Sequence, residues 1–326
     1  MATPLLTLTG RGLYCEAGGF YIDPHRAVDK ALVTHGHADH ATRGHGRYLA
    51  ATPAVPVIRH RLGAIDIDGM AFGERRRIGA VDVAFHPAGH VPGSAQIRLE
   101  HRGQVWVVTG DYKTERDGLC EDFAPVACHS FITECTFGLP VYRWRPQSEV
   151  MDNIRHWWAG NAAQGVASVI GAYSFGKAQR LLSALGGGDG PVLVHPVIAA
   201  TNAVLRAQGL ALPGAATLTP DTDRALLGQA LVIAPPGAKT DDLLARVPHE
   251  TAFASGWMQI SRRSGGQRGF VLSDHADWPG LQDAIAATGA ERVYCTHGYD
   301  AVLARWLREN GQWAAPLSAL RASGDA

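Results

Sequence analysis

Residues 34–40 have the sequence Thr34-His35-Gly36-His37-Ala38-Asp39-His40. This segment extends an apolar run that begins at Ala31, so we expect a strand that ends in a loop carrying three imidazoles and one carboxylate. Imidazole and carboxylate are ligands that suit zinc, and also manganese or iron. Alternating side chains let one loop serve two ions, with His35 and His37 on one side and Asp39 and His40 on the other. The segment therefore predicts a two-metal site.

The segment resembles the ligand loop of the metallo-β-lactamase superfamily, and other residues match the rest of that pattern in order. They are Asp23, His90, Asp111 and His297, each following an apolar run. Taken singly, His90 or His297 is equally well explained as a structural histidine. By resemblance, however, His90 completes the first metal site, His297 completes the second, and Asp111 bridges the two ions. Asp23 would orient the histidine loop. The resemblance implies two divalent ions, with Zn²⁺ favoured and Mn²⁺ as the alternative.

Three further segments resemble the β-CASP branch of that superfamily, whose members process nucleic acids. Ile132–Gly138 resembles the acidic motif that opens the β-CASP cassette, Ser174–Leu182 resembles a glycine–basic–Ala-Gln stretch within it, and Leu272–Asp277 resembles a later histidine motif. The resemblance implies an αββα metallo-β-lactamase sandwich formed by residues 1–145 and 256–326. A parallel α/β β-CASP domain is expected at residues 146–255, inserted into that sandwich.

The apolar pattern independently predicts an α/β fold, and 326 residues suffice for two domains. Strand-like runs dominate the first part, at Leu5–Thr9, Gly19–Ile22, Ala31–Thr34, Val81–Phe85, Ala95–Leu99 and Val105–Thr109. Helices and strands then alternate, at Ser148–Trp158, Val166–Ile170, Gly176–Leu185, Val192–Val194 and Ile198–Gln208, which predicts a parallel α/β unit. In the tail, Gly269–Ser273 and Val293–Thr296 are predicted strands, each followed by a helix.

By resemblance, the chemistry is hydrolysis of phosphodiester bonds in nucleic acid. Water bound at Asp111 would become the nucleophile, with Asp39 also in the catalytic set. His275 is the candidate acid for the leaving oxygen, and Glu134 would hold it by a hydrogen bond. The alternatives are that His275 only braces the site or binds phosphate, and that Glu134 is an ordinary salt-bridge residue.

Basic and aromatic residues indicate where nucleic acid could be held. Arginine suits phosphate and an aromatic ring suits a base, which makes the pairs Arg143-Trp144 and Arg262-Arg263 candidates. Lys177 and Ser273 are further candidates because they lie in the cassette motifs. Arginines in loops are, however, commonly just solvated surface.

The nearest resemblance is to bacterial exonucleases described as DNA-ligase-associated DNA damage response proteins, once labelled messenger-RNA 3′-end processing factors. It covers nearly the whole chain, with Phe253–Met258 and Asp274–Gly280 as the segments behind it. It implies a DNA exonuclease acting from the 5′ end in DNA repair, on single strands or ends, together with DNA ligase and helicase. The alternatives are an RNA-processing β-CASP nuclease, a lactamase- or glyoxalase-like hydrolase, and a non-catalytic scaffold.

Composition sets outer limits on the function. Thirty basic residues balance thirty acidic residues, which excludes a non-specific polycation but not a local basic groove. Five cysteines without a CxxC pair argue against a disulfide framework and favour a reduced, cytoplasmic setting. No apolar run is long enough for a membrane span, and no signal peptide is expected. Gly171–Lys177 approaches a P-loop, but Ala178 replaces the hydroxyl residue that would bind magnesium.

Overall fold

A computed structural model of the chain describes residues 4–238, 244–261 and 268–321. Contacts between Cα atoms divide the chain into two units. The first comprises Met1–Tyr142 and His275–Ala326, and the second comprises Arg143–Asp274. The second unit extends past the predicted boundary at residue 255, because the strand Arg268–Phe270 pairs with the strand His249–Ala254. Both units combine helices and strands, so the predicted α/β class is confirmed.

The first unit contains two sheets, and the first sheet has six strands in chain order. These strands are β1 (Thr7–Thr9), β2 (Gly12–Cys15), β3 (Phe20–Ile22), β4 (Lys30–Val33), β5 (Arg47–Ala51) and β6 (Ile67–Met70). Strands β1 to β3 pair antiparallel, whereas β3 to β6 pair parallel. Strand β4 therefore lies inside the sheet, and its carboxyl end leads directly into Thr34.

The second sheet of the first unit has seven strands. They are β7 (Arg75–Ile78), β8 (Val81–Pro87), β9 (Ala95–His101), β10 (Gln104–Val108), β11 (Ser130–Cys135), β18 (Arg292–Gly298) and β19 (Ala314–Pro316). Their order across the sheet is β19-β18-β11-β10-β9-β8-β7. Strands β8 to β10 pair antiparallel, and β10, β11 and β18 pair parallel.

The described residues form seven α-helices. They are α1 (Val55–Leu62), α2 (Gln147–Ala162), α3 (Lys177–Leu185), α4 (Pro196–Ala207), α5 (Arg224–Gln229), α6 (Trp278–Thr288) and α7 (Asp300–Glu309). Short 3₁₀ turns lie at Thr52–Ala54, Gly256–Gln259 and Leu317–Leu320. None of the helices that the structure describes is long and apolar enough to cross a membrane.

Alternation along the strands explains how the first unit is layered. In β10, Trp106 and Val108 join a core cluster that also contains Leu32 of the first sheet, so this core lies between the two sheets. Val105 and Val107 point to the opposite face and pack in a cluster with residues of α6 and α7. The outer face of the first sheet packs against α1. Both sheets are thus largely covered, as expected for strands with apolar residues on both faces.

The second unit is built on one sheet whose strands all pair parallel. They are β12 (Ala167–Gly171), β13 (Val192–Val194), β14 (Ala216–Thr217), β15 (Leu231–Ala234), β16 (His249–Ala254) and β17 (Arg268–Phe270). Their order is β14-β13-β15-β12-β16-β17, and residues of α2, α3 and α4 pack with the strands in a buried core. The predicted parallel α/β unit is therefore confirmed.

Candidate metal centre

The histidine loop begins where β4 ends, and hydrogen bonds hold its first residue. Oδ1 of Asp23 accepts the Thr34 backbone N–H at 2.8 Å, and Oδ2 accepts the Thr34 hydroxyl at 2.6 Å. The same Oδ2 lies 2.7 Å from Nδ1 of His40. Asp23 therefore links Thr34, at the start of the loop, to His40, its last histidine. Because Nδ1 of His40 faces the Asp23 carboxylate, Nε2 points away from that carboxylate.

One group of four candidate ligands lies on the buried side of this loop. It consists of His35, His37, His90 and Asp111, whose ligand atoms all lie within 4.8 Å of one another. Nδ1 of His37 lies 3.0 Å from Nε2 of His35 and 3.1 Å from Nε2 of His90. Two nitrogens bound to one tetrahedral zinc at 2.0–2.1 Å are about 3.3 Å apart, so the three imidazoles have near-chelate spacing.

A second group shares Asp111 and includes His40 and His297. Oδ2 of Asp111 lies 3.5 Å from Nε2 of His40, and Oδ1 lies 3.5 Å from Nδ1 of His297. The Asp39 carboxylate lies 3.7 Å from Nε2 of His40, but its side chain is 75% exposed and it belongs to neither group. Asp111 is thus the residue common to both groups, whereas Asp39 lies at the outer edge.

Two buried atoms of the second group indicate whether a cation could bind between its side chains. Nε2 of His40 and Oδ1 of Asp111 are inaccessible to solvent, and among the described residues neither has a hydrogen-bond partner. Burying such atoms unpaired is costly, and a bound cation would satisfy both. The donor set of imidazole nitrogens and carboxylate oxygens suits zinc or manganese. The residues therefore fit the two divalent ions predicted from the sequence.

The ionisation of the cluster follows from its packing. Burial and the neighbouring His40 lower the pKa of His35. Burial opposes a charge on His40, but the carboxylates of Asp111 and Asp23 raise its pKa above the usual range. Burial likewise opposes ionisation of Asp111, yet the neighbouring His40 and His297 hold its pKa well below the usual range. The Asp111 carboxylate in turn raises the pKa of His297. The imidazoles around Asp111 therefore favour its carboxylate form.

Glu134 and His275 form a pair beside these groups. Nδ1 of His275 lies 2.9 Å from Oε1 and 3.0 Å from Oε2 of Glu134. Glu134 is buried at the end of β11, where its carboxylate accepts the Tyr112 backbone N–H at 2.8 Å and the Thr136 hydroxyl at 2.5 Å. The His275 ring packs against His90 with centroids 4.6 Å apart. Asp111, Glu134 and His275 also form a third group within 4.8 Å.

Arg61 on α1 is a residue of this region that sequence reasoning missed. Its Nε donates to the Gly36 carbonyl at 2.8 Å, and Nη2 donates to the carbonyls of His37 at 3.2 Å and of Ala41. One guanidinium thus binds three carbonyls of the loop that carries the histidines. The only local signal was a basic residue in the last turn of a helix that had not itself been predicted.

The backbone conformation is unusual at two residues of the candidate metal centre, Asp23 and His297. Asp23 and His297 have positive φ values of 42° and 54°, which are rare for residues other than glycine. Gly298 follows His297 with φ 88°, and a Cβ there would lie 2.5 Å from the Cys135 carbonyl oxygen. The thiol of Cys135 donates to the His297 carbonyl at 3.0 Å. The close contact between β11 and β18 therefore fixes His297.

Four of the residues predicted to hold nucleic acid belong to the second unit. Lys177 is buried, and its Nζ lies 3.0 Å from Oδ2 of Asp274. Arg143 is exposed, Trp144 is half-buried and Ser273 is buried, all within the second unit. Arg262 and Arg263 lie outside the described residues. The structure thus gathers the predicted metal ligands other than Asp39, together with Asp23, Glu134 and His275. It gives Lys177 an ion-pair partner within its own unit.

Comparison with known proteins gives two curated relatives. No protein-family model matches the chain. The chain is 34% identical over 313 residues to a protein named "Probable DNA ligase" from Opitutus terrae, covering 93% of this chain and 30% of the relative. It is 27% identical over 194 residues to "Ribonuclease TTHA0252" from Thermus thermophilus, covering 51% of this chain and 44% of the relative. The chain therefore spans less than half the length of each relative.

A solved structure is similar in fold. It is a protein of unknown function from Enterococcus faecalis, with a TM-score of 0.59 and 11% sequence identity. The similarity covers 89% of this chain and 81% of that protein. At this identity the comparison supports a shared fold and carries no functional information.

Proposed function

We propose that this chain is a metal-dependent phosphodiesterase that hydrolyses nucleic acid, and specifically a DNA exonuclease acting from the 5′ end in DNA repair. The observation that carries the proposal is the convergence of two ligand groups on one carboxylate, Asp111, beside the Glu134–His275 pair. A shared carboxylate between two cation sites is the arrangement expected of a two-metal hydrolase.

The fold supports the membership that the sequence motifs suggest, the β-CASP branch of the metallo-β-lactamase superfamily. The first unit has two sheets with a common core and helices on both outer faces, as an αββα sandwich requires. The second unit is a parallel α/β unit between two segments of the first, as an inserted domain requires. We propose the domain boundaries accordingly, with the insert at Arg143–Asp274.

The side chains of this chain would have separate roles in the reaction. Two divalent ions, Zn²⁺ or Mn²⁺, would neutralise phosphate charge and acidify a water. Glu134 holds Nδ1 of His275, so Nε2 is the nitrogen that would deliver a proton to the leaving oxygen. Asp23 fixes the orientation of His40. Proton delivery and ligand orientation thus belong to separate side chains.

Names of the relatives bear on the substrate. One relative is named a probable DNA ligase, and the matching region covers nearly the whole of this chain, which favours DNA ends and joint action with a ligase. Joint action with a helicase is proposed from the sequence resemblance alone. The ribonuclease relative matches a smaller part of the chain, and it keeps RNA processing as the second candidate. Nothing among the described residues favours a lactamase- or glyoxalase-like hydrolase over these.

The deciding experiment is digestion of end-labelled DNA and RNA, single- and double-stranded, with 5′-phosphate or 5′-hydroxyl ends, in Zn²⁺ or Mn²⁺. We expect DNA to be shortened from its 5′ end, metal analysis to find about two divalent ions per chain, and EDTA to stop cleavage. Cleavage by the metal-free protein would refute the proposal, and so would hydrolysis of only a β-lactam or a thioester. Preferential cleavage of RNA would move the assignment to the second candidate.

A further inference from the structure

A cavity of about 340 Å³ opens in the first unit beside the second ligand group. His40 and His297 form part of its wall, so the cavity adjoins the second ligand group, where the phosphate would react. Cavities of this order are large enough for a small organic ligand. The metal-ligand assignments do not explain this space.

One part of the cavity lining is apolar. Leu13 and Ile22 of the first sheet line it, as do Val108 and Ile132 of the second. All four residues belong to the core between the sheets. A ligand in the cavity would therefore have aliphatic side chains to contact.

Another part of the lining is polar. It includes the carboxylates of Asp39 and Asp300 and the exposed imidazole of His25. The Asp39 carboxylate lies 3.7 Å from Nε2 of His40, so this part adjoins the second ligand group. Carboxylates accept hydrogen bonds from N–H groups. The cavity therefore suits a flat, uncharged ring with apolar faces and donors on its edge.

We propose that this cavity binds the nucleobase of the terminal nucleotide while its phosphate lies at the metal centre. The inference rests on the proposed nuclease function and deepens it. A base has apolar faces for the aliphatic part of the lining and, in adenine, cytosine and guanine, an amino group for the carboxylates. The proposed exonuclease acts at strand ends, so the base would be that of the terminal nucleotide.

The first test compares two labelled oligonucleotides that differ only in the terminal residue, which carries either adenine or an abasic tetrahydrofuran. Burial of the faces of one base against aliphatic side chains, with contacts to its amino group, predicts that removing the base lowers kcat/KM about 10-fold or more. The comparison uses the wild-type protein, so it does not depend on any variant folding. Equal rates for the two ends would overturn the inference.

A matched pair of variants then locates the effect. Ser318 lines the cavity and is exposed, so Ser318→Trp would place an indole on the side of the cavity that faces solvent. We expect this variant to reduce the adenine-to-abasic rate ratio to about one, by competing for the site. Ala287→Trp adds the same bulk on an exposed face of α6 outside the cavity lining, and should keep the wild-type ratio. A wild-type ratio in well-folded Ser318→Trp, checked by circular dichroism, would overturn the inference.

The outcomes separate this inference from the function on which it rests. If no DNA or RNA is cleaved with either end, the proposed function fails. If both ends are cleaved equally well, the nuclease assignment stands and only the base-binding role of the cavity falls. If the abasic end is cleaved faster, the cavity favours some other group, and the inference is likewise wrong.

Discussion

Each unit contains a cluster of buried polar side chains, and the two clusters differ in chemistry. In the first unit, Oδ2 and Oδ1 of Asp111 lie 3.5 Å from Nε2 of His40 and from Nδ1 of His297. In the second unit, Lys177 and Arg180 both contact the Asp274 carboxylate. Imidazole nitrogens and a carboxylate can ligate a metal ion, whereas the cations of lysine and arginine have no lone pair to offer one. The difference indicates that the first cluster is organised to bind a cation and the second to stabilise the fold.

The largest effect is expected at Asp111, because both ligand groups share it. Asp111→Asn removes the charge and leaves the shape, and it should lower kcat about 1000-fold or more through loss of the metal contribution. Metal analysis by mass spectrometry should find fewer than two ions per chain. Asp82→Asn removes the partner of Arg77 in a surface ion pair and serves as the control, which should keep both activity and metal content. Full metal content in Asp111→Asn would place the first cluster in the same class as the second.

The next effect is expected at His275, which contributes a proton rather than a ligand in the proposed mechanism. His275→Ala should lower kcat about 100-fold while KM changes little, because proton transfer contributes at least this much. With thymidine 5′-p-nitrophenyl phosphate as the substrate, the loss in kcat should be smaller, because its p-nitrophenolate leaving group needs no proton. His156→Ala, at an exposed position of α2, is the control. An equal loss with both substrates would assign His275 to the metal site, with which it also forms a ligand group.

Much of the first cluster could be predicted because its residues follow apolar runs. His35, Asp111 and His297 each lie just beyond a predicted strand, and strand periodicity is visible locally in the sequence. Arg61 could not be found in this way, because its partners are backbone carbonyls 20 to 25 residues earlier in the chain. A side chain that recognises carbonyls leaves no pattern of matching residue types. Only the packing of α1 against the first sheet brings it there.

Prediction of the fold from the sequence was limited in a similar way, because some strands have only a weak local pattern. Alternating helices and strands revealed the parallel sheet of the second unit, but β17 has only three residues and did not mark where that unit ends. Strand β11 was missed as well, although all six of its residues are buried. Its sequence, SFITEC, mixes polar and apolar residues, since the polar ones serve the site and the neighbouring strands. Functional residues thus obscured the strand that carries them.

A smaller effect is expected from Arg61, which acts on the loop and not on a metal. Arg61→Lys keeps the charge but cannot donate to three carbonyls in the same planar geometry. We expect metal affinity to fall about 10- to 100-fold, as for other groups that orient ligands, and activity to recover at high metal concentration. Competition with a fluorescent chelator measures the affinity directly. Arg47→Lys, in an exposed pair with Asp66, is the control. Unchanged affinity would limit Arg61 to a structural role.

The smallest effect on activity is expected in the second cluster. Lys177→Met keeps the length of the buried side chain, and Asp274 retains Arg180, so we expect about 1–3 kcal/mol loss in the free energy of unfolding. Asp274→Ala should cost more, about 3–5 kcal/mol, because it leaves two buried cations without their carboxylate. Urea denaturation measures both, and KM for DNA should stay within about twofold in Lys177→Met, given the fixed ion pair. A large rise in KM with unchanged stability would instead support the substrate-binding role that the sequence motif suggested, and would show that pairing within a cluster does not exclude a part in binding.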